Sequence, residues 1–199
     1  LLRDQFAYAT INISCPNAQD GCLLQDSPTM LHGLLAALQR EPKTVPVYIK
    51  ISNDLNNSQI DAILAIVQQY PVIDGFVVSN LAKQRERLQL KSPTAMLNLL
   101  PAGGISGKPT EANSNHLISY IYHATQGKYT IIGVGGIFTA ADAYAKIKAG
   151  ASLVELITGM IYGGPLTIKR IKVGLVELLR RDGFSSIEEV RGTGTDVNN

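Results

Sequence analysis

Cysteine and histidine are scarce in this 199-residue sequence, and neither sign of charge is in large surplus. Two cysteines, Cys15 and Cys22, are too few for a disulfide framework, and neither has the spacing of a metal site. His32, His116 and His123 lie far from both along the chain, so no metal centre is expected. The formal net charge of +2 is small and scattered, which argues against a nucleic-acid partner but is compatible with an anionic small ligand. No apolar run approaches the roughly 20 residues of a membrane-crossing helix, and the opening residues lack the pattern of a signal peptide. Hydrophobic residues nevertheless make up 45% of the chain against 17% charged, the balance of a globular protein with a sizeable core.

Strand-like and helix-like segments alternate. Tyr8 to Ile13 is a short β-rich run ended by Pro16 and Asn17. Ser27 and Pro28 then mark a helix start, with Met30, Leu31, Leu34, Leu35 and Leu38 on one face. Val45 to Ile51 reads as a second strand, and the helix after Ser58 gathers Ile60, Ile63, Leu64 and Val67. Gly75 to Ser79 is a third strand. The polar excursion from Ala82 to Pro109 that follows is too long for a plain connection, which marks it as a functional loop. Leu117, Ile118 and Ile121 predict a helix, Tyr129 to Val134 a strand, and Thr139 to Lys148 a helix stopped by Gly150. A fifth strand spans Ser152 to Ile157. A long helix carrying Ile168, Ile171, Leu175, Leu178 and Leu179 ends near Gly183.

Five successive βα units predict a parallel sheet covered by helices, either doubly wound or part of a (β/α)8 TIM barrel. A whole barrel takes about 250 residues and eight units. The first residues, Leu1-Leu2-Arg3-Asp4-Gln5-Phe6, lack an initiator Met and read as the inside of a helix, so the sequence is expected to be a fragment of a longer protein. The fold class is therefore read as α/β, with about five C-terminal units of a (β/α)8 barrel.

Function in such barrels gathers where the strands end. After the first come Asn12, Ser14, Cys15, Pro16 and Asn17; Lys50 ends the second; Ser79 and Asn80 follow the third; Gly133-Val134-Gly135-Gly136 closes the fourth; Thr158-Gly159 follows the fifth. Gly135 and Gly136 leave backbone amides bare, and the helix behind them adds positive partial charge at its N-terminus. The turn is either a phosphate cradle or simply a tight turn. Lys50 at a strand end calls for a carbonyl or anionic partner, or else reaches solvent at the rim. Cys15, in a Pro-containing polar loop, is either a nucleophile or base, or a buried inert thiol.

The run Asn12-Ile13-Ser14-Cys15-Pro16-Asn17 resembles the active-site loop of dihydroorotate dehydrogenases. Further motifs follow in that family's order: Lys50-Ile51 with Asp54-Leu55, Ser79-Asn80, Gly103-Gly104-Ile105-Ser106-Gly107-Lys108-Pro109, Ile132-Gly133-Val134-Gly135-Gly136-Ile137, Gly150-Ala151-Ser152-Leu153-Val154 and Gly163-Gly164-Pro165. The glycine motifs are similar to those of the membrane-associated, quinone-reducing class. Cys15 instead resembles the soluble class, since Ser is usual as the base in quinone-reducing members. Leu81 stands where Thr is common and Ile157 where an aromatic is common.

The resemblance implies FMN-dependent oxidation of dihydroorotate to orotate in pyrimidine biosynthesis, with residues 1–199 forming the C-terminal part of one FMN-binding barrel domain. It implies Cys15 as the general base. It assigns Asn12, Lys50, Ser79, Ser106, Gly107, Gly135, Gly136, Ile157 and Thr158 to the cofactor, and Asn12, Asn17, Asn80 and Leu81 to the substrate. It further implies a quinone acceptor and a missing N-terminal part of the barrel. Membrane association would come only through upstream sequence; without a quinone the protein would be cytoplasmic. Two alternatives are another FMN barrel dehydrogenase acting on a related cyclic amide, and an inactive barrel fragment serving as a binding module.

Overall fold

The structure is a computed structural model that describes residues 6–14, 24–88, 90–93, 96–97, 99 and 103–194. Strand β1 (Ala9–Asn12) leads to helix α1 (Pro28–Gln39), then β2 (Val47–Ile51), α2 (Asn57–Val67) and β3 (Gly75–Val78). After the excursion come α3 (Glu111–Ala124), β4 (Thr130–Val134), α4 (Ala140–Ala149), β5 (Leu153–Glu155), α5 (Thr158–Gly163), α6 (Thr167–Asp182) and α7 (Ile187–Val190).

The five strands are all parallel and lie side by side in chain order, β1-β2-β3-β4-β5. A doubly wound sheet reverses its strand order at a switch point. This sheet has no such reversal, and the choice between the two architectures falls to the barrel wall. Asn12 pairs with Lys50, Lys50 with Val77, Val77 with Ile132 and Ile132 with Leu153. Because side chains alternate across a strand, this row shares the inner face. There Tyr48, Val77 and Ile132 bury together against Val134. Tyr8 donates to Glu155 across that face at 2.9 Å.

The outer face carries the main core. Ile49, Ile51, Phe76, Val78 and Ile131 pack against Leu31 and Leu35 of α1, Ile60, Ile63, Leu64 and Val67 of α2, and Leu117, Ile118 and Ile121 of α3. Farther along the wall, Val154 of β5 meets Tyr144 and Ile147 of α4 and Leu175 and Leu179 of α6.

Local sequence sets the helix ends. The Ser27 side chain accepts from the Met30 amide, with Pro28 in the first turn. Gly150 and Gly183 close α4 and α6. Helix α2 begins at Asn57 rather than after Ser58, because Asn56 caps it: Asn56 Oδ1 accepts from the Gln59 amide at 2.9 Å and Gln59 Oε1 from the Asn56 amide at 3.0 Å. The fifth strand stops at Glu155, short of the expected Ile157, since Ile157 caps α5. Short helices α5 and α7 carry too little apolar periodicity to be predicted.

Candidate active site

The strand ends converge. Lys50, Ser79, Asn80, Leu81, Ser106, Gly107, Gly135, Gly136, Ile157 and Thr158 line one cavity of about 200 Å³, together with Thr110, Val134, Ile137, Leu156 and Gly159. Its lining among the described residues contains one cation, Lys50, and no carboxylate. No described residue pairs with the Lys50 ammonium, so the cavity favours an anionic or carbonyl-rich ligand.

The glycine turn after β4 has the geometry of a cradle. Gly135 and Gly136 adopt φ of +112° and +75°. A Cβ at the first would lie 2.7 Å from Thr110 Oγ1, and at the second 2.3 Å from Glu111 Cβ, so no larger residue fits. Among the described residues, no acceptor pairs with either amide. Opposite the turn, Ser106 Oγ and Thr158 Oγ1 lie 3.1 Å apart, and Thr110 Oγ1 donates to the Gly107 carbonyl at 2.8 Å, fixing the end of the excursion. Two hydroxyls, two amides without a described partner and a cation around one cavity form a donor set suited to a phosphate monoester. A bound FMN phosphate fits this set, and the cavity is smaller than the roughly 300–1,000 Å³ of whole-ligand sites.

The N-terminus of α4 was expected to add its partial charge to the cradle. Instead Asp142 fills it: its carboxylate accepts from the Phe138 and Thr139 amides, both at 2.9 Å, and pairs with Lys108 at 2.6 Å. Burial alone would raise the Asp142 pKa, but the Lys108 contact and these amides outweigh it and hold it at about 2. The sequence already supplies an anion at that helix end, so the cradle depends on the glycine turn and the hydroxyls.

Asn12, Ser14 and Asn80 form a second cluster. Asn12 Oδ1 accepts from Ser14 Oγ at 2.9 Å, and Asn80 Nδ2 donates to Ser14 Oγ at 2.9 Å and to Asn12 Oδ1 at 3.5 Å. Asn80 Oδ1 accepts from the Leu81 amide at 2.9 Å. The Val78–Ser79 peptide between strand and site is cis. Cys15 and Asn17 lie outside the described residues, as does Cys22.

Sequence reasoning missed two supports. Asn53, buried behind β2, donates to Ser79 Oγ at 2.7 Å and to the Thr110 carbonyl at 3.1 Å. Ser79 thereby accepts inward and keeps its own hydrogen to donate into the cavity. Thr110, 2% exposed, ties the excursion to the cradle. Asn53 stands just past a strand end, where the search that found Lys50 could have found it. Thr110 carries no local signal.

A parallel βα wall whose strand ends gather a cation, amides and hydroxyls around one cavity has the architecture of the barrel class. The family model described as "Dihydroorotate dehydrogenase" matches residues 2–179, and the chain belongs to that family. It is 41% identical over 195 residues to the dihydroorotate dehydrogenase (quinone) of Nostoc punctiforme, covering 96% of this chain and 51% of that protein. The enzyme of the same name from Acidithiobacillus ferrooxidans is 39% identical over 196 residues, covering 94% and 52%. The chain thus spans about half the length of the curated relatives it matches. Ligand-free DHODH from Eimeria tenella superimposes with a TM-score of 0.84 at 30% identity, over 100% of this chain and 58% of that one. The same organism's DHODH in complex with ferulenol gives 0.81 at 31%, over 94% and 54%.

Proposed function

We propose that the protein to which this chain belongs oxidises dihydroorotate to orotate in pyrimidine biosynthesis, using FMN and passing the electrons to a quinone. The supporting observation is the convergence of Lys50, Ser79, Asn80, Ser106, Gly107, Gly135, Gly136 and Thr158 from separate strand ends onto one cavity in a chain of this family.

FMN, when bound, supplies the two-electron acceptor for the hydride. The chain's own groups position and exchange protons. The Gly135 and Gly136 amides, with Gly107 and the Ser106 and Thr158 hydroxyls, hold the phosphate. Lys50 would supply its ammonium to the electron-rich edge of the bound ring, with Ser79 as a further donor and Ile157 as an apolar contact. Asn12, Asn17 and Asn80, with Leu81, hold the cyclic amide of the substrate. Cys15 Sγ, as thiolate, takes the proton from C5 of dihydroorotate as the C6 hydride departs. All residues of the chain are assigned to one barrel domain whose other strands lie upstream.

A quinone acceptor, as in the enzymes of Nostoc punctiforme and Acidithiobacillus ferrooxidans, places the protein at a membrane. No described helix is long and apolar enough to cross one. The deciding measurement is stopped-flow bleaching of flavin absorbance in the full-length protein. Bleaching by dihydroorotate, followed by recovery with a soluble quinone, is the expected outcome; a flavin that dihydroorotate leaves oxidised overturns the reading.

A further inference from the structure

Lys146 of α4 is wholly buried, on the sheet-facing side of its helix. Its stem runs over β4 at Gly133, where a Cβ would lie 3.1 Å from Lys146 Cδ and 3.1 Å from Ile118 Cδ1, so the strand leaves room for the side chain. Among the described residues, no carboxylate contacts the ammonium. It donates instead to Ser114 Oγ and to Asn115 Oδ1, both at 2.8 Å. Burying a lysine on neutral partners is costly, and such an arrangement persists where the charge has a use.

Ser114, itself fully buried, carries the contact onward. Its Oγ lies 2.6 Å from the Val134 carbonyl and 3.2 Å from that of Val78. Val134 immediately precedes the Gly135–Gly136 turn, and its carbonyl also accepts from the Ser79 amide at 3.1 Å. The chain of donors therefore runs from Lys146 through Ser114 to the one carbonyl that both cavity walls share. A serine hydroxyl has a single hydrogen. While Lys146 is an ammonium it can only donate, so that hydrogen is directed to a carbonyl. A neutral amine has a lone pair that competes for it.

We propose that Lys146 is a positioning residue of the cofactor cradle, acting through Ser114 on the Val134 carbonyl and thereby on Ser79 and the Gly135–Gly136 amides. The inference rests on reading that cradle as the FMN-phosphate site. Burial pulls the lysine down to about 7, while Glu111 of α3 and Asp142 of its own helix raise it and Lys108 lowers it. An anion in the cradle favours the ammonium. The contribution of Lys146 to holding phosphate is thus fully present below pH 7 and is lost as pH rises through its pKa in the complex. The phosphate is already largely dianionic there, its second pKa being about 6.

The test uses the full-length protein stripped of flavin, titrated with FMN and with riboflavin between pH 6.5 and 9 (a window set by that pKa of about 7) and followed by flavin fluorescence. The parent should bind FMN more tightly than riboflavin, and only FMN affinity should fall with rising pH. Lys146→Met should weaken FMN about tenfold at the acid end, the loss of one charge-assisted hydrogen bond. It should also flatten the pH dependence and leave riboflavin unaffected. Ser114→Ala should do the same, and the double variant should add nothing further. Should Lys146→Met not fold, Ser114→Ala carries the test alone. Parental FMN affinity and pH dependence in the variants, equal losses for both flavins, or additive losses overturn the inference. A parent indifferent between FMN and riboflavin instead overturns the cradle reading beneath it.

Discussion

Removing the Asp142 side chain tests whether the helix behind the cradle is self-capped. Asp142 accepts the Phe138 and Thr139 amides, its own amide donates to Thr139 Oγ1, and its carboxylate pairs with Lys108. These contacts lower its pKa from the ordinary 3.8 to about 2 against the opposing effect of burial. At about 1.4 kcal/mol per tenfold change in proton affinity, that difference is worth ~2 kcal/mol of folding stability when the group is ionised. The side chain is 11% exposed, so solvent screening removes little of this, whereas Lys108 at 56% contributes less than its 2.6 Å distance suggests. Loss of a capping side chain typically costs ~1 kcal/mol, of the same order. A group whose pKa is depressed by folding stabilises above its unfolded value and ceases to do so as pH falls through its folded value. Asp142→Ala should therefore unfold ~2 kcal/mol more easily than the parent at pH 7, with the gap narrowing steadily between pH 4 and pH 2. Urea unfolding followed by circular dichroism at several pH values measures it. A gap as large at pH 2 as at pH 7, or below ~0.5 kcal/mol at pH 7, would refute the assigned role.

Two further outcomes are expected. Gly136→Ala combines a φ of +75° with a Cβ 2.3 Å from Glu111 Cβ. Left-handed strain of ~1–2 kcal/mol and overpacking of ~1–3 kcal/mol should both appear in thermal unfolding, and FMN should be lost from the purified protein; full flavin occupancy at the parental melting temperature would count against the cradle geometry. Cys15→Ala should slow flavin reduction by on the order of 10²–10⁴ with substrate affinity little changed, whereas Cys15→Ser should retain activity with an altered pH profile. Stopped-flow bleaching that is equally fast in the alanine variant and the parent removes Cys15 as the base.

What was legible in the sequence is what short segments decide for themselves. Ser27 with Pro28, Thr139, Gly150 and Gly183 marked helix ends because capping involves neighbours a few residues away. Lys50, Ser79, Gly135 and Thr158, which line one cavity, could be picked out because each stands at or just after a strand end. The barrel was read from the run of βα units and the family resemblance rather than from local signals, since strand order depends on pairings between distant segments such as Gly75 with Thr130. Asn53, Thr110, Ser114 and Lys146 escaped for the same reason: a buried polar side chain is explained by its partner, and theirs lie across the fold. The helix-dipole expectation at α4 overlooked the Thr139–Asp142 capping pair, which was present in the sequence all along.

The excursion after β3 is fastened at its base and again at Leu97. The Asp54 carboxylate accepts from the Lys83 amide at 2.7 Å, an antiparallel bridge joins Ala82 to Ile105, and Arg85 donates to the Leu97 and Gly103 carbonyls. With both ends tied, closing a longer loop is cheap, since doubling the length costs about 0.6 kcal/mol. Length can therefore change between these ties while Ser106 and Gly107 stay in register with the cradle. A loop built this way can acquire new surface chemistry by insertion without retuning the centre it adjoins.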